Sequence, residues 1–222
     1  MKMLKLFGLL TLICPVIGTA QEDTLALERG TIYPGYIITS DNDTIEGWVL
    51  NINLWLNQQM TFYYDDPDNH DGRIKYKAKE LKGYRVGNRI YDHMKYEGKY
   101  SSHKHNFFLR EIDGPMSCYV WYYDPDRSKL SPVDMSLDDL SDALLFDEDE
   151  LSTQLLIRNT DGEIVNLDQL KYLVNFDKNM SKLVSDYPEL SEKVRNKEEG
   201  YKWINAKEII AEYNSWYLKD LK

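Results

Sequence analysis

The chain has 222 residues, 42% of them hydrophobic, and a formal net charge of −10 at neutral pH. A chain of this length can bury a core as one or two domains. Its acidic balance argues against nucleic acid and anionic lipid as partners, because both attract basic surfaces.

The first twenty residues have the pattern of an export signal. Lys2 and Lys5 precede an apolar run at 6–17, and 18–20 supplies the small residues that a signal peptidase requires. The run is shorter than the roughly twenty residues of a membrane-spanning helix. Cleavage before Gln21 would leave 25 basic residues (27 − 2) against 37 acidic ones, a net charge of −12. We therefore expect an exported protein, periplasmic, at the cell surface or secreted, with no integral membrane span after cleavage.

Cysteine usage agrees with a fold that relies on its core. Only Cys118 remains after cleavage, so no internal disulfide is expected. Lipid attachment at Cys14 is the alternative to cleavage before Gln21. The bulky Ile13 and the following Pro15 argue against it.

Short runs of β-branched and aromatic residues, separated by polar turns, dominate residues 30–165. Four pairs of runs predict β-hairpins: 36–39 with 44–50, 83–86 with 89–96, 106–112 with 116–123, and 154–158 with 163–165. Further strands are predicted at 60–64 and 73–77. Gly47 indicates a bulge or a close approach of another backbone. Strands this short and this regularly spaced predict an antiparallel barrel or sandwich.

An acidic block at 134–150 interrupts the strands, with eight acidic residues and no basic one. Leu137, Leu140 and Leu144 repeat there at helical spacing. The pattern predicts a short helix at 136–146 with a solvated acidic face, and a surface for a cation or a basic partner is the alternative.

From Asn166 the apolar period changes to about 3.6, which predicts a helical segment at 166–222. Leu167, Leu170 and Val174 should form the buried face of its first helix.

The final helix has a broad apolar stripe from Ile209 to Tyr217, preceded by Ile204, which is expected to pack on Ile209 as a hydrophobic staple. We expect this stripe to dock on the sheet or on the other helices, and docking on a separate partner is the alternative. The predicted fold is therefore α+β: a β-rich barrel or sandwich followed by a docked helical segment.

Two short motifs resemble a known family. The sequence Gly35-Tyr-Ile-Ile-Thr39, followed by Asp43-Thr-Ile-Glu-Gly47, is similar to the opening of uncharacterised exported proteins of Bacteroidota. The segments 186–190 and 209–217 are also similar to theirs. The resemblance implies a location in the envelope of a Gram-negative bacterium, or secretion from it, and it carries no assigned activity.

The histidines supply a candidate metal site. His103 and His105 would share a strand face and begin a zinc or copper site, with Asp92, His93 and Glu111 as further candidate ligands. Solvated histidines in a loop or at a sheet edge are the favoured alternative. The sequence has no nucleotide-binding loop, serine-hydrolase elbow, paired-histidine zinc helix or Cys-x-x-Cys, and no cofactor is predicted.

Tyr119, Trp121 and Tyr123 alternate along one predicted strand and therefore share one face. Exposed aromatic rings in this arrangement are a candidate ligand platform for sugars or extended partners. The alternative, which aromatic strand propensity favours, is that the three rings are half-buried.

These patterns favour a non-enzymatic interaction or ligand-binding module, whose partner is an unidentified protein or glycan of the cell envelope. The alternative is a hydrolase or metal-dependent enzyme whose site is assembled from dispersed residues. His103, His105, Asp92 and Glu111 are the candidates for that site.

Overall fold

The computed structural model describes residues 27–98, 103–123 and 151–220. Ten strands are present in these ranges: β1 (Thr31–Thr39), β2 (Thr44–Asn51), β3 (Met60–Tyr64), β4 (Ile74–Lys77), β5 (Leu81–Val86), β6 (Arg89–Lys95), β7 (His105–Ile112), β8 (Ser117–Tyr123), β9 (Ser152–Arg158) and β10 (Ile164–Asn166). They form one open sheet in the order β10-β9-β8-β7-β6-β5-β1-β2-β3-β4, with every neighbouring pair antiparallel. The predicted antiparallel architecture is confirmed, and the four predicted hairpins are present.

Gly47 in β2 leaves room for an aromatic ring, and the strand pairing there is regular. It lies opposite Gly35 of β1 in an uninterrupted register, so the hairpin has no bulge at this position. A Cβ on Gly47 would lie 2.5 Å from the ring of Tyr63. The Tyr63 hydroxyl donates a hydrogen bond to the carbonyl of Glu46 (2.8 Å). The close approach at Gly47 therefore comes from a side chain of β3.

The connection at 52–59 is buried. Asn57 and Gln58 are both 0% exposed, and their side chains form hydrogen bonds with backbone groups. The N–H of Ile52 donates to Oδ1 of Asn57 (2.9 Å), while Gln58 donates to the carbonyl of Tyr122 (2.8 Å) and accepts from its N–H (2.9 Å). Five strands separate β3 from β8 in the sheet order, so the sheet must curl around this connection for Gln58 to reach Tyr122.

Four helices follow the sheet: α1 (Leu170–Leu173), α2 (Phe176–Leu183), α3 (Pro188–Arg195) and α4 (Ala206–Asp220). The expected docking of the last helix is confirmed, because the Ile209, Ile210 and Tyr213 side chains are at most 1% exposed. They pack in one cluster with sheet residues and with α2 and α3; the cluster includes Met116, Cys118, Ile157, Met180, Leu190 and Val194. Helices and sheet thus share a core.

One side-chain amide joins α4 to the start of β8. Oδ1 of Asn214 accepts from the N–H of Met116 (2.9 Å), and Nδ2 of Asn214 donates to the Met116 carbonyl (2.8 Å). Gly114, at φ +148°, brings its backbone against the same amide: a Cβ there would lie 2.6 Å from Nδ2. The amide therefore acts as a short strand partner for the chain entering β8.

The first helix begins later than its sequence pattern predicts. Asn166 is the last residue of β10, and the N–H of Leu167 still donates to the carbonyl of Leu155 in β9 (2.9 Å). Asn166 and Leu167, which the helical period places in the helix, are therefore paired with β9 instead. Leu167 is buried, but Leu170 and Val174 are 75% and 69% exposed, so the expected apolar face is not buried as a unit.

Two predicted segments, the export signal at 1–20 and the acidic helix at 136–146, lie outside the described residues. Among the helices that the structure describes, none combines the length and the apolar character needed to cross a membrane.

Candidate ligand-binding cleft

A cleft of about 520 Å³ opens between β7–β9 and the start of α4. This volume is within the range of roughly 300–1,000 Å³ that is typical of small-ligand sites. Its walls come from three strands, from the turn after β10 and from the residues that lead into α4: Glu111, Val120, Tyr122, Thr153, Gln154, Leu155, Asp168, Trp203, Ile204, Ala206, Lys207 and Glu208.

Glu111 reaches the cleft at an irregularity in β7. Arg110 pairs with Tyr119 and Ile112 pairs with Cys118, so Glu111 is an extra residue in the ladder. A bulge redirects side chains locally and is common beside functional sites. The local register shift accounts for a carboxylate on this wall of the cleft.

Lys207 and Glu111 form an ion pair across the cleft wall. Burial opposes the charge of the Lys207 ammonium, but the hydrogen bond and the negative charge of Glu111 outweigh burial and raise the pKa of Lys207. Lys207 therefore stays cationic and neutralises Glu111.

Asp168 is a half-buried carboxylate that accepts a hydrogen bond from a backbone N–H group. Oδ2 of Asp168 accepts from the N–H of Leu155 (2.5 Å), and the N–H of Asp168 donates to Oδ1 of Asn166 (2.9 Å). Burial raises the pKa of Asp168, and the bond from Leu155 offsets part of that effect. No described cation forms an ion pair with this carboxylate.

Two large apolar side chains form the edge of the cleft, and we call them the apolar rim. Trp203 is 42% exposed and Ile204 is 79% exposed, both in a 3-10 turn that leads into α4. Ile209 is 1% exposed, whereas Ile204 lacks the burial that the predicted staple would give it. Exposed apolar side chains at the edge of a concave surface are typical of ligand and partner sites.

The aromatic triplet of β8 lies mainly in the interior. Tyr119 and Trp121 are 0% and 1% exposed and share a cluster with Phe108, whose ring centroid lies 4.9 Å from that of Trp121. Tyr123 is partly buried against the same cluster. Neither Tyr119 nor Trp121 presents a ring to solvent, and both are more deeply buried than the half-buried alternative predicts. A binding role for the triplet stays a prediction.

The structure brings His105 to His93. Nδ1 of His105 lies 2.9 Å from Nε2 of His93. The backbone carbonyl of His103 accepts a hydrogen bond from Asn106 (2.8 Å). Over residues 27–98, 103–123 and 151–220, no three His, Cys, Asp or Glu side chains meet in a metal-binding group, so His103 does not complete a site with the pair.

Asp92 lies in a separate network on the other face of β6. Arg110 donates to it through Nε (2.8 Å) and Nη2 (2.5 Å), the hydroxyl of Tyr119 donates to Oδ2 (2.8 Å), and Arg158 lies 4.0 Å away. The four side chains come from β6–β9 and link these strands. Bidentate pairing occupies the carboxylate. The candidate residues for a dispersed active site (His103, His105, Asp92 and Glu111) therefore do not come together in one site.

Most residues of the cleft have no signature in the sequence. Glu111 is among the predicted site residues, but Asp168, Lys207 and the apolar rim are not. The one local signal is the adjacent apolar pair Trp203-Ile204, whose position before a helix equally fits a staple.

Comparison of the chain with protein-family models, with curated proteins and with solved structures finds no match. The geometry of the site therefore carries the functional argument.

Proposed function

We propose that the protein is an exported, non-enzymatic binding module that holds its ligand in the cleft between the sheet and α4. The observation that carries this proposal is the composition of the cleft, which is lined both by the exposed apolar rim and by the half-buried carboxylate of Asp168. Concave sites with apolar walls and a few fixed polar groups are the usual form of ligand pockets.

The charges of the cleft favour a cationic ligand. Three carboxylates line it (Glu111, Asp168 and Glu208) against the single cation Lys207. Since Lys207 is paired with Glu111, two carboxylates remain for the ligand. A ligand cation beside Asp168 would offset the effect of burial on this carboxylate.

The apolar rim would cover an adjoining apolar group of the ligand. A peptide segment with lysine or arginine next to an apolar residue has this chemistry. Among the envelope partners that the sequence predicts, the cleft therefore favours a protein over an uncharged glycan.

Export is part of the proposal. Its support is the pattern of residues 1–20 and the resemblance of 35–47 to exported proteins of Bacteroidota. Mass spectrometry of the protein purified from the periplasm or the medium should give an N-terminus at Gln21. A cytoplasmic chain that retains Met1 would contradict export.

The binding experiment is capture from envelope extract on immobilised protein, followed by mass spectrometry of the bound peptides and affinity measurement with the best one. Trp203→Ala and Asp168→Asn should each weaken this affinity about tenfold or more, because a desolvated aromatic anchor and a buried charge partner dominate such sites. Ile45→Ala is the matched control, since Ile45 has the same 42% exposure as Trp203 and lies outside the cleft. Equal affinity of all three variants would contradict the cleft as the site. Deleting α4 is not a useful variant, because Ile209 and Ile210 belong to the core.

A hydrolase is the second candidate, favoured by the raised pKa of Asp168 in a cleft that also holds Glu208. A carboxyl group whose pKa is raised by burial is better suited to general acid catalysis than an ordinary surface carboxylate. Turnover of chromogenic ester, glycoside or peptide substrates that Asp168→Asn abolishes would favour the enzyme. Ligand binding without turnover favours the binding module.

A further inference from the structure

His93 and His105 form a pair of adjacent imidazoles on one face of the sheet. His93 of β6 is opposite Phe107 of β7, and His105 is opposite Lys95, so the two imidazoles are diagonal neighbours. Nε2 of His93 lies 2.9 Å from Nδ1 of His105. Both side chains are partly exposed, so the pair is accessible from solvent.

The two rings meet edge to edge. Their planes are 12° apart and their centroids are 5.1 Å apart. An imidazole nitrogen lies about 1.1–1.2 Å from its ring centroid, so two rings joined end to end by an N–H···N bond of this length would have centroids about 5.2 Å apart. The observed spacing matches that arrangement. One proton therefore lies between the two nitrogens: one ring donates it, and the lone pair of the other ring's nitrogen accepts it.

The surroundings of His93 disfavour the charged form of its imidazole. Burial lowers the pKa of His93, and the neighbouring His105 and Lys95 lower it further. The described groups that act on this imidazole electrostatically are both basic. A neutral imidazole is the form that binds metal ions.

We propose that His93 and His105 together bind a divalent transition metal ion of the zinc type, through Nε2 of His93 and Nδ1 of His105. On a tetrahedral ion with Zn–N bonds of about 2.0–2.1 Å, two imidazole nitrogens are about 3.3–3.4 Å apart and their centroids about 5.2 Å apart. The centroids already have this spacing, so each ring needs to turn but the strands need not move.

The proton balance of this step is simple. The proton between the rings moves to the outer nitrogen of its own ring, and the neutral pair releases none. No third His, Cys, Asp or Glu within the described ranges joins the pair, so water completes the coordination sphere. On a tetrahedral ion the two imidazoles leave two positions for water, one more than the three protein ligands of a catalytic zinc site leave. The charge of Lys95 opposes the ion, so affinity in the micromolar range is expected rather than that of a closed structural site.

The test is calorimetric titration of the metal-free protein with zinc chloride at about pH 7.5 and pH 5.5. We expect one equivalent to bind at the higher pH, with affinity at least about tenfold lower at the lower pH. His93→Gln and His105→Gln should each reduce the affinity about tenfold or more, while His103→Gln, the control, should retain it. Zinc-dependent stabilisation of each variant, measured by thermal unfolding against a chelated sample, separates loss of the site from loss of the fold.

Absence of zinc binding by the native chain would overturn the proposal. Undiminished binding by the His93→Gln/His105→Gln double variant would overturn it equally. This site is independent of the cleft, and neither result bears on ligand binding there.

Discussion

The amide of Asn214 offers a sharp test of how α4 is attached to the sheet. Asn214→Ala removes one acceptor and one donor that serve the backbone of Met116 at 2.9 and 2.8 Å. Met116 is 0% exposed and Asn214 is 5% exposed, so water does not readily replace either bond. Each buried polar group left without a partner costs about 1–3 kcal/mol, which gives a loss of about 2–6 kcal/mol for the pair. This is a large part of the 5–15 kcal/mol that is typical of a folded domain.

The assay is equilibrium unfolding in urea, followed by far-ultraviolet circular dichroism and by tryptophan fluorescence. Ser215→Ala is the matched control: Ser215 is the next residue of the same helix, is exposed, and donates only to Ala211 within α4 (2.8 Å). We expect the control to change the free energy of unfolding by less than about 0.5 kcal/mol. A loss below about 1 kcal/mol in Asn214→Ala would refute the reasoning, because the Met116 backbone would then have another partner.

Three further predictions follow from burial and charge. Trp121→Ala should lower the free energy of unfolding by about 3–5 kcal/mol, as expected for a core aromatic residue, whereas unchanged stability in the urea assay would support a surface platform. Burial, and to a lesser degree the charge of Glu111, raises the pKa of the Cys118 thiol to about 12. In a Cys14→Ser background, iodoacetamide at about pH 8 should therefore label Cys118 only after unfolding. Rapid labelling of the native chain, detected by mass spectrometry, would contradict the burial of this thiol. Because the pKa of Asp168 is raised in the folded state, the folded chain holds this proton more tightly than the unfolded chain. The contribution of the Asp168 carboxyl group to the free energy of unfolding is therefore complete below its ordinary pKa of 3.8, and it is lost as pH rises through the pKa of the folded state. Urea unfolding measured across that pH range should show the stability of the native chain falling relative to that of Asp168→Asn. A constant difference between the two would contradict the shift.

Local strand and turn chemistry was sufficient to place most of the sheet. The predicted strand at 60–64 coincides with β3, and the predicted hairpin of 83–86 with 89–96 is present as β5 and β6, joined by the two residues between them. These features depend on neighbouring residues alone. The helix predicted from Asn166 onward was wrong at its start, because Asn166 pairs with Leu156 of β9 and belongs to a strand. Periodicity does not record which segment lies alongside, so tertiary pairing overrode it.

The sequence by itself determined the antiparallel β-rich character, the helical C-terminal segment and the docking stripe of α4. Each follows from a repeat of two or about 3.6 residues, which is set by local backbone geometry. Only the tertiary structure decided that β1 pairs with β5, that His105 faces His93, and that Asp168 and Lys207 line one cleft. These are contacts between segments far apart in the chain, and they depend on how the curled sheet and the helices fill their common core.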